Sequence, residues 1–153
     1  MIELYRGDAK RIQHFCKVHS YAKLIAETEH VDKKSLFIIE AAALTHDIGI
    51  HFCEEKYGNC NGKLQEQEGP AIAERLLKKL GFDQEVSDRV QYLIAHHHTY
   101  NDIDAMDYQI LVEADFLVNI MEDSLTKEAA LKAYHNIFKT ACGKTICREM
   151  FDI

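Results

Sequence analysis

The chain contains no tryptophan and a single proline, Pro70, among 153 residues, and only seven glycines. So little turn-forming and helix-breaking material favours helix over sheet. Basic side chains are also scarce: 18 lysines and arginines face 25 acids, a formal net charge of −7. That argues against a general nucleic-acid binder, which neutralises phosphates with clustered cations, and against any long nucleic acid as partner. A small phosphorylated substrate stays compatible, because a metal and a few local cations outweigh a global charge. No apolar run approaches the roughly 20 residues of a membrane-spanning helix, so no membrane association is expected. Met1 to Asp8 lacks the apolar core of a secretory signal. The five cysteines (Cys16, Cys53, Cys60, Cys142, Cys147) form no Cys-x-x-Cys pair, so a thiolate zinc site is not expected. An odd cysteine count without an export signal reads as reduced thiols, and the expected location is cytoplasmic.

What is present suits one packed domain spanning residues 1–153, with 47% hydrophobic residues and no internal repeat or linker. Asp8 reads as an N-cap for a helix from about Ala9 to Thr28, with apolar residues recurring from Ile12 to Ala26. Asp32 caps a second helix that should end near Gly49. Ile50 to Glu68 carries the turn cluster Gly58-Asn59-Cys60-Asn61-Gly62 and is read as a loop over the site, in the manner of a lid. Gly62-Lys63 is not a P-loop, since the glycine spacing is short by one and Leu64 follows the lysine. A helix starts near Pro70 and stops at Gly81; Asp83 caps the next, which leads to His96-His97-His98. An apolar helix runs from Tyr108 to about Met121, Thr126 caps another, and the last ten residues form a short helix or a tail. The expected fold is a compact all-α bundle of six or seven helices.

Chemistry concentrates in a few ionisable residues set among apolar ones. His46-Asp47 closes an apolar helix, where neighbours in sequence can face one ion, and imidazole and carboxylate both suit divalent iron, manganese or zinc. The plainer reading makes His46 a cap on the helix's negative end, with Asp47 in solvent. Asp115 lies in the apolar stretch from Ile110 to Val118, where a carboxylate needs a metal, a cation or strong donors; a helix end or an arginine would also satisfy it. The triplet His96 to His98 cannot all face one site, and it also reads as a solvated helix end. His14 and His19 are about 140° apart on a helix. Periodicity puts His19 nearer the centre of the buried stripe, as a hydrogen-bonded core histidine, and His14 at its edge.

In the order His, His-Asp, His-His, Asp, on helices of one small domain, the chain resembles the HD superfamily of metal-dependent phosphohydrolases from about Arg11 to Glu122. The family's Arg-x-x-His, with a valine four residues on, matches Arg11 to His14 and Val18, so the resemblance selects His14 as first ligand and keeps His19 in reserve. His46, Asp47 and Asp115 match the remaining ligands. His97-His98 resembles the pair that dinuclear members use for a second metal. Two positions depart from the pattern. Gln65 stands where dinuclear relatives carry a histidine, so one divalent ion (Fe, Mn, Zn, Ni, Co or Mg) is expected, and a second only if Glu66 or Glu68 substitutes. Ile50 replaces the lysine that follows His-Asp-Ile-Gly in many relatives, leaving Lys56 or Lys63 to contact phosphate. The Gly-Tyr-Pro signature of cyclic-dinucleotide phosphodiesterases is absent.

The resemblance implies a phosphohydrolase, a phosphomonoesterase or phosphodiesterase, acting on a small phosphate ester or nucleotide through metal-activated water. Asp47 would orient that water, His97 or His98 would contact phosphate or protonate the leaving oxygen, and Arg11 would clamp phosphate oxygens. Plainer readings make Arg11 an exposed surface charge and Lys56 and Lys63 solvated loop lysines. Rival functions are a non-catalytic HD module that binds a nucleotide or partner as a sensor, and a two-iron oxygenase, which needs six ligands.

Overall fold

The computed structural model describes residues 1–153, which fold into helices without any strand. In chain order these are α1 (Ala9–Thr28), α2 (Lys33–Thr45), α3 (Ile50–Tyr57), α4 (Gly62–Lys79), α5 (Gln84–Ile94), α6 (Met106–Glu122), α7 (Lys127–Asn136) and α8 (Ala141–Phe151). Local signals set most of the starts. Asp8, Asp32, Asp83, Thr126 and Thr140 each accept a hydrogen bond from a backbone N–H of the turn they precede.

The packing order is α1 on α2 and α6, α2 on α5 and α6, and α4 on α5, with α7 and α8 closing one side. Helix α6 is central. Twelve of its side chains are buried, so it faces neighbours nearly all round, and the charged residues it carries need partners inside the fold.

The segment from Ile50 to Glu68 corrects the sequence expectation. It is not a loop: α3 occupies Ile50–Tyr57, and α4 begins at Gly62 rather than near Pro70. Only the turn around Gly58 to Asn61 separates the two, which raises the helix number to eight. The cause is the Asn61 side chain, which accepts from Leu64 N and caps α4 two turns earlier than the proline suggested. Pro70 therefore lies inside the helix, where its missing N–H costs one backbone bond; packing of α4 against α3 and α5 overrides that local preference.

Helices α2 and α3 run almost end to end, joined by a tight turn over His46 to Gly49. Together, Lys33–Tyr57 is long and apolar enough to cross a membrane, a stretch not apparent as one apolar run in the sequence; 61% of its most apolar window is buried inside the fold. The turn is pressed against α4. A side chain at Gly49 would stand 3.1 Å from Gly69 N, and one at Gly69 would stand 2.7 Å from Ile94 Cγ2. Glycine at both places lets α4 approach the end of α2 backbone to backbone. That approach carries Gln65 and Glu66 to the end of α5.

Candidate metal centre

The end of α2 meets the middle of α1 and α6 at four side chains. His14 comes from α1, His46 and Asp47 from the end of α2, and Asp115 from α6. His14 Nε2 lies 3.2 Å from His46 Nε2. Asp115 Oδ1 is 3.3 Å from His14 Nε2 and 3.5 Å from His46 Nε2. Asp47 Oδ2 is 3.7 Å from His14 Nε2 and 3.5 Å from His46 Nε2.

The hydrogen bonds behind the imidazoles fix what these atoms present. His46 Nδ1–H donates to the Ala43 carbonyl at 2.9 Å, one of the carbonyls a helix end leaves unpaired. His14 Nδ1–H donates to Glu122 Oε2 at 3.0 Å, and Glu122 is in turn held by Lys17 at 2.6 Å. With Nδ1 committed as donor, each neutral ring turns a lone pair on Nε2 toward the other. Asp115 Oδ1 is buried and accepts no hydrogen bond. Two imidazole lone pairs and two carboxylates thus converge without a donor among them. Such an arrangement is stable only with positive charge at its centre, whether protons on the rings or a cation.

The ionisation shifts express the same demand. Burial pushes His46 down, but the charges of Asp47 and Asp115 outweigh it and raise it to about 9. His14 also rises, because Asp115 overcomes the effect of burial. Burial pushes Asp115 and Asp47 up, and the neighbouring imidazoles more than reverse this in both. Carboxylates kept ionised in a buried pocket, facing nitrogen lone pairs, fit a divalent metal ion with mixed N and O ligands. His14, His46 and Asp47 form one of two groups whose ligand atoms all lie within 4.8 Å of one another.

The second such group is Asp47, His97 and His98. Helix α5 ends at Ile94, so the histidine triplet lies in the turn beyond it. There His96 Nδ1–H donates to the Tyr92 carbonyl and turns away, while His97 Nδ1–H donates to the Ile94 carbonyl at 2.8 Å. His97 Nε2 then lies 3.3 Å from Asp47 Oδ1, so the two oxygens of Asp47 face the two groups. Gln65 Oε1 stands 2.8 Å from His98 Nε2 and 3.3 Å from His97 Nε2, between the rings. Glu66 accepts from His98 N and from the Thr99 hydroxyl, fixing this turn, while Glu68 pairs with Tyr57 and Lys56 instead. Burial and the charge of His97 lower His98 to about 4.

The remaining residues singled out by sequence lie around this cluster or apart from it. Arg11 is held by Asp8 at 2.8 Å and Glu54 at 2.6 Å, so its guanidinium is already paired. Lys56 packs over the rings of Phe52 and Tyr57 beside Glu68, and Lys63 is exposed at the start of α4. Both lysines sit on helices rather than on a loop. His19 bonds Glu40 at 3.1 Å next to Lys23, in a half-buried ion cluster between α1 and α2, and is not the buried core histidine that periodicity suggested. Two participants escaped the sequence reading. Glu122 follows Asp115 by seven residues, two helical turns on the same face, a spacing that could have pointed to it. Tyr5, whose hydroxyl reaches the Asp47 backbone, stands in a short segment without periodicity and gives no such signal.

The fold and these side chains define an all-helical protein that gathers histidines and aspartates from separate helices into one buried cluster that could hold a divalent cation. A family model for the HD domain matches residues 11–141, and the chain belongs to that family. Among solved structures, it is similar to the crystal structure of a predicted HD superfamily hydrolase from an uncultured Thermotogales bacterium. The identity is 26% and the TM-score 0.69, over 98% of this chain and 80% of that one. None of the curated proteins compared with it matches.

Proposed function

We propose that this HD-domain protein is a metal-dependent phosphohydrolase that directs water onto the phosphorus of a small phosphate ester, nucleotide-like in kind. The observation that carries the reading is the donor-free convergence of His14 Nε2, His46 Nε2, Asp47 and Asp115, with Asp115 Oδ1 buried and unbonded. These four residues would hold one divalent ion. When bound, such an ion acidifies a coordinated water and offsets charge on phosphoryl oxygens.

The chain's own residues supply the rest. Glu122 and the Ala43 carbonyl keep both ligand imidazoles in the tautomer that presents Nε2. Asp47, reaching both groups, is the carboxylate suited to orient the attacking water. His97, with Nε2 turned to Asp47, is the residue suited to carry a proton to the leaving oxygen. His98 would have to turn its N–H from Gln65 Oε1 to contact a phosphate oxygen. Arg11, His19, Lys56 and Lys63 are the groups proposed to contact the substrate's phosphate; Arg11 would have to share its guanidinium with Asp8 and Glu54, Lys56 its ammonium with Glu68, and His19 its ring with Glu40.

The test is metal analysis of purified protein joined to phosphate release from a panel of phosphate esters under several divalent ions. His46→Ala and Asp47→Ala are expected to lose both bound metal and phosphate release while keeping helical circular dichroism. Activity persisting in both variants would overturn the reading. A second reading, a sensor module without turnover, draws on the Gln65 amide between His97 and His98; bound metal with no turnover across the panel would favour it.

A further inference from the structure

Asp47 is the residue shared by both groups able to hold a cation, and its two oxygens face different partners. Oδ2 lies 3.5 Å from His46 Nε2 and Oδ1 lies 3.3 Å from His97 Nε2. A small rotation of its backbone would pull one oxygen away from its partner as it brought the other closer. Yet Asp47 sits where α2 has already ended. Ile48 N donates to the Thr45 carbonyl and Ile50 N to the Asp47 carbonyl, bonds that each span three residues, so a tight turn rather than a helical ladder carries the residue.

A third hydrogen bond steadies this turn from outside. The Tyr5 hydroxyl donates to the Asp47 carbonyl at 2.8 Å, across 42 residues of sequence. Tyr5 precedes α1 and lies outside the region matched by the family model. It is fully buried. Its ring meets Phe15 edge-on at 5.0 Å and lies 4.1 Å from the ring of His51, while Phe15 in turn stands edge-on to His46 at 6.1 Å. The phenol therefore cannot swing away without disturbing the aromatic packing behind the ligands.

We infer that Tyr5 is a positioning residue of the metal centre: its hydroxyl fixes the Asp47 peptide so that one carboxylate oxygen faces His14 and His46 and the other faces His97. The inference rests on the metal-centre reading above. The segment before α1 is then part of the site's scaffold.

Tyr5→Phe removes one oxygen and leaves the packing in place. The measurements are cobalt(II) affinity, by competition with a chelator, and the visible absorption spectrum of the cobalt-loaded protein. Tyr5→Phe is expected to weaken affinity about ten-fold, the usual effect of losing a partner behind a ligand, and to shift the cobalt absorption band. Leu4→Ala, on the exposed side of the same segment, is expected to change neither. Affinity within two-fold of the unsubstituted protein with an unshifted band would overturn the inference. So would an equal loss in Leu4→Ala, which would assign the effect to the segment's stability. An unsubstituted protein that takes up no divalent ion overturns both this inference and the metal-centre reading. Uptake without phosphate release sinks the hydrolase reading alone, and Tyr5 is then judged on affinity and spectrum.

Discussion

His46 divides its two ring nitrogens between the helix it ends and the cluster it faces. Nδ1 satisfies the Ala43 carbonyl that the end of α2 leaves unpaired, and this bond orients Nε2 inward. The capping role that a plain reading gives His46 is thus the means by which it is aimed. His97 repeats the device on the Ile94 carbonyl of α5. His14 lies within a helix, where backbone carbonyls are already bonded, and uses Glu122 instead. Residues of this kind were legible because ionisable side chains in apolar helices are costly and draw attention. Their supports were less so: Glu122 offers only its seven-residue spacing from Asp115, and Tyr5 is an ordinary residue in ordinary surroundings until the chain folds. Replacing Glu122 by alanine is expected to weaken metal affinity about ten- to a hundred-fold by freeing the His14 ring. Its melting temperature should stay close to that of the unsubstituted protein. Chelator competition read beside thermal unfolding checks both, and unchanged affinity would remove Glu122 from the site.

At the scale of elements, two of the three buried carboxylates of α6 stand two residues apart and have different tasks. Asp115 faces His14 and His46 in the candidate cation site. Glu113, fully buried, reaches the start of α8, where it accepts from Lys139 N at 2.6 Å and Thr140 N at 2.9 Å, with Gln109 Nε2 donating at 2.7 Å. Glu113 thereby ties the last helix to the central one. Glu113→Ala would strand these donors, and the expected loss is about 3 kcal/mol of stability, read from urea unfolding. A loss below about 1 kcal/mol, the worth of one ordinary hydrogen bond, would show that α8 finds other partners. The elements themselves were legible where a cap and an apolar stripe coincide, as in α1, α5 and α7. They were not legible from Ile50 to Glu68, where Gly58 and Gly62 suggested a broad loop and Pro70 suggested a start. The Asn61 cap was a local signal hidden in the turn cluster, but what keeps Pro70 inside the helix is the close fit of α4 against Gly49 and Ile94, a tertiary contact with no local signature.

For the whole molecule, the buried charges make stability depend on pH and on metal together. His46 in the metal-free protein is raised from its ordinary 6.5 to about 9. Its contribution to stability is therefore fully present below pH 6.5 and is lost as the pH rises toward about 9. Metal needs the unprotonated ring, so affinity should rise across the same window. The metal-free protein is expected to melt at progressively lower temperature from pH 6.5 to about 9, and the loaded protein to hold its melting temperature, as scanning calorimetry would record. Parallel curves for the two forms would contradict the coupling. The donor set also spans most of the chain, from His14 on α1 to Asp115 on α6. During synthesis the ribosome must release Asp115 before that set is complete, although the two imidazoles that belong to it have long since emerged. Until then the nascent protein can offer a passing ion only part of a site, so selection among metals falls to a chain that has already released Asp115.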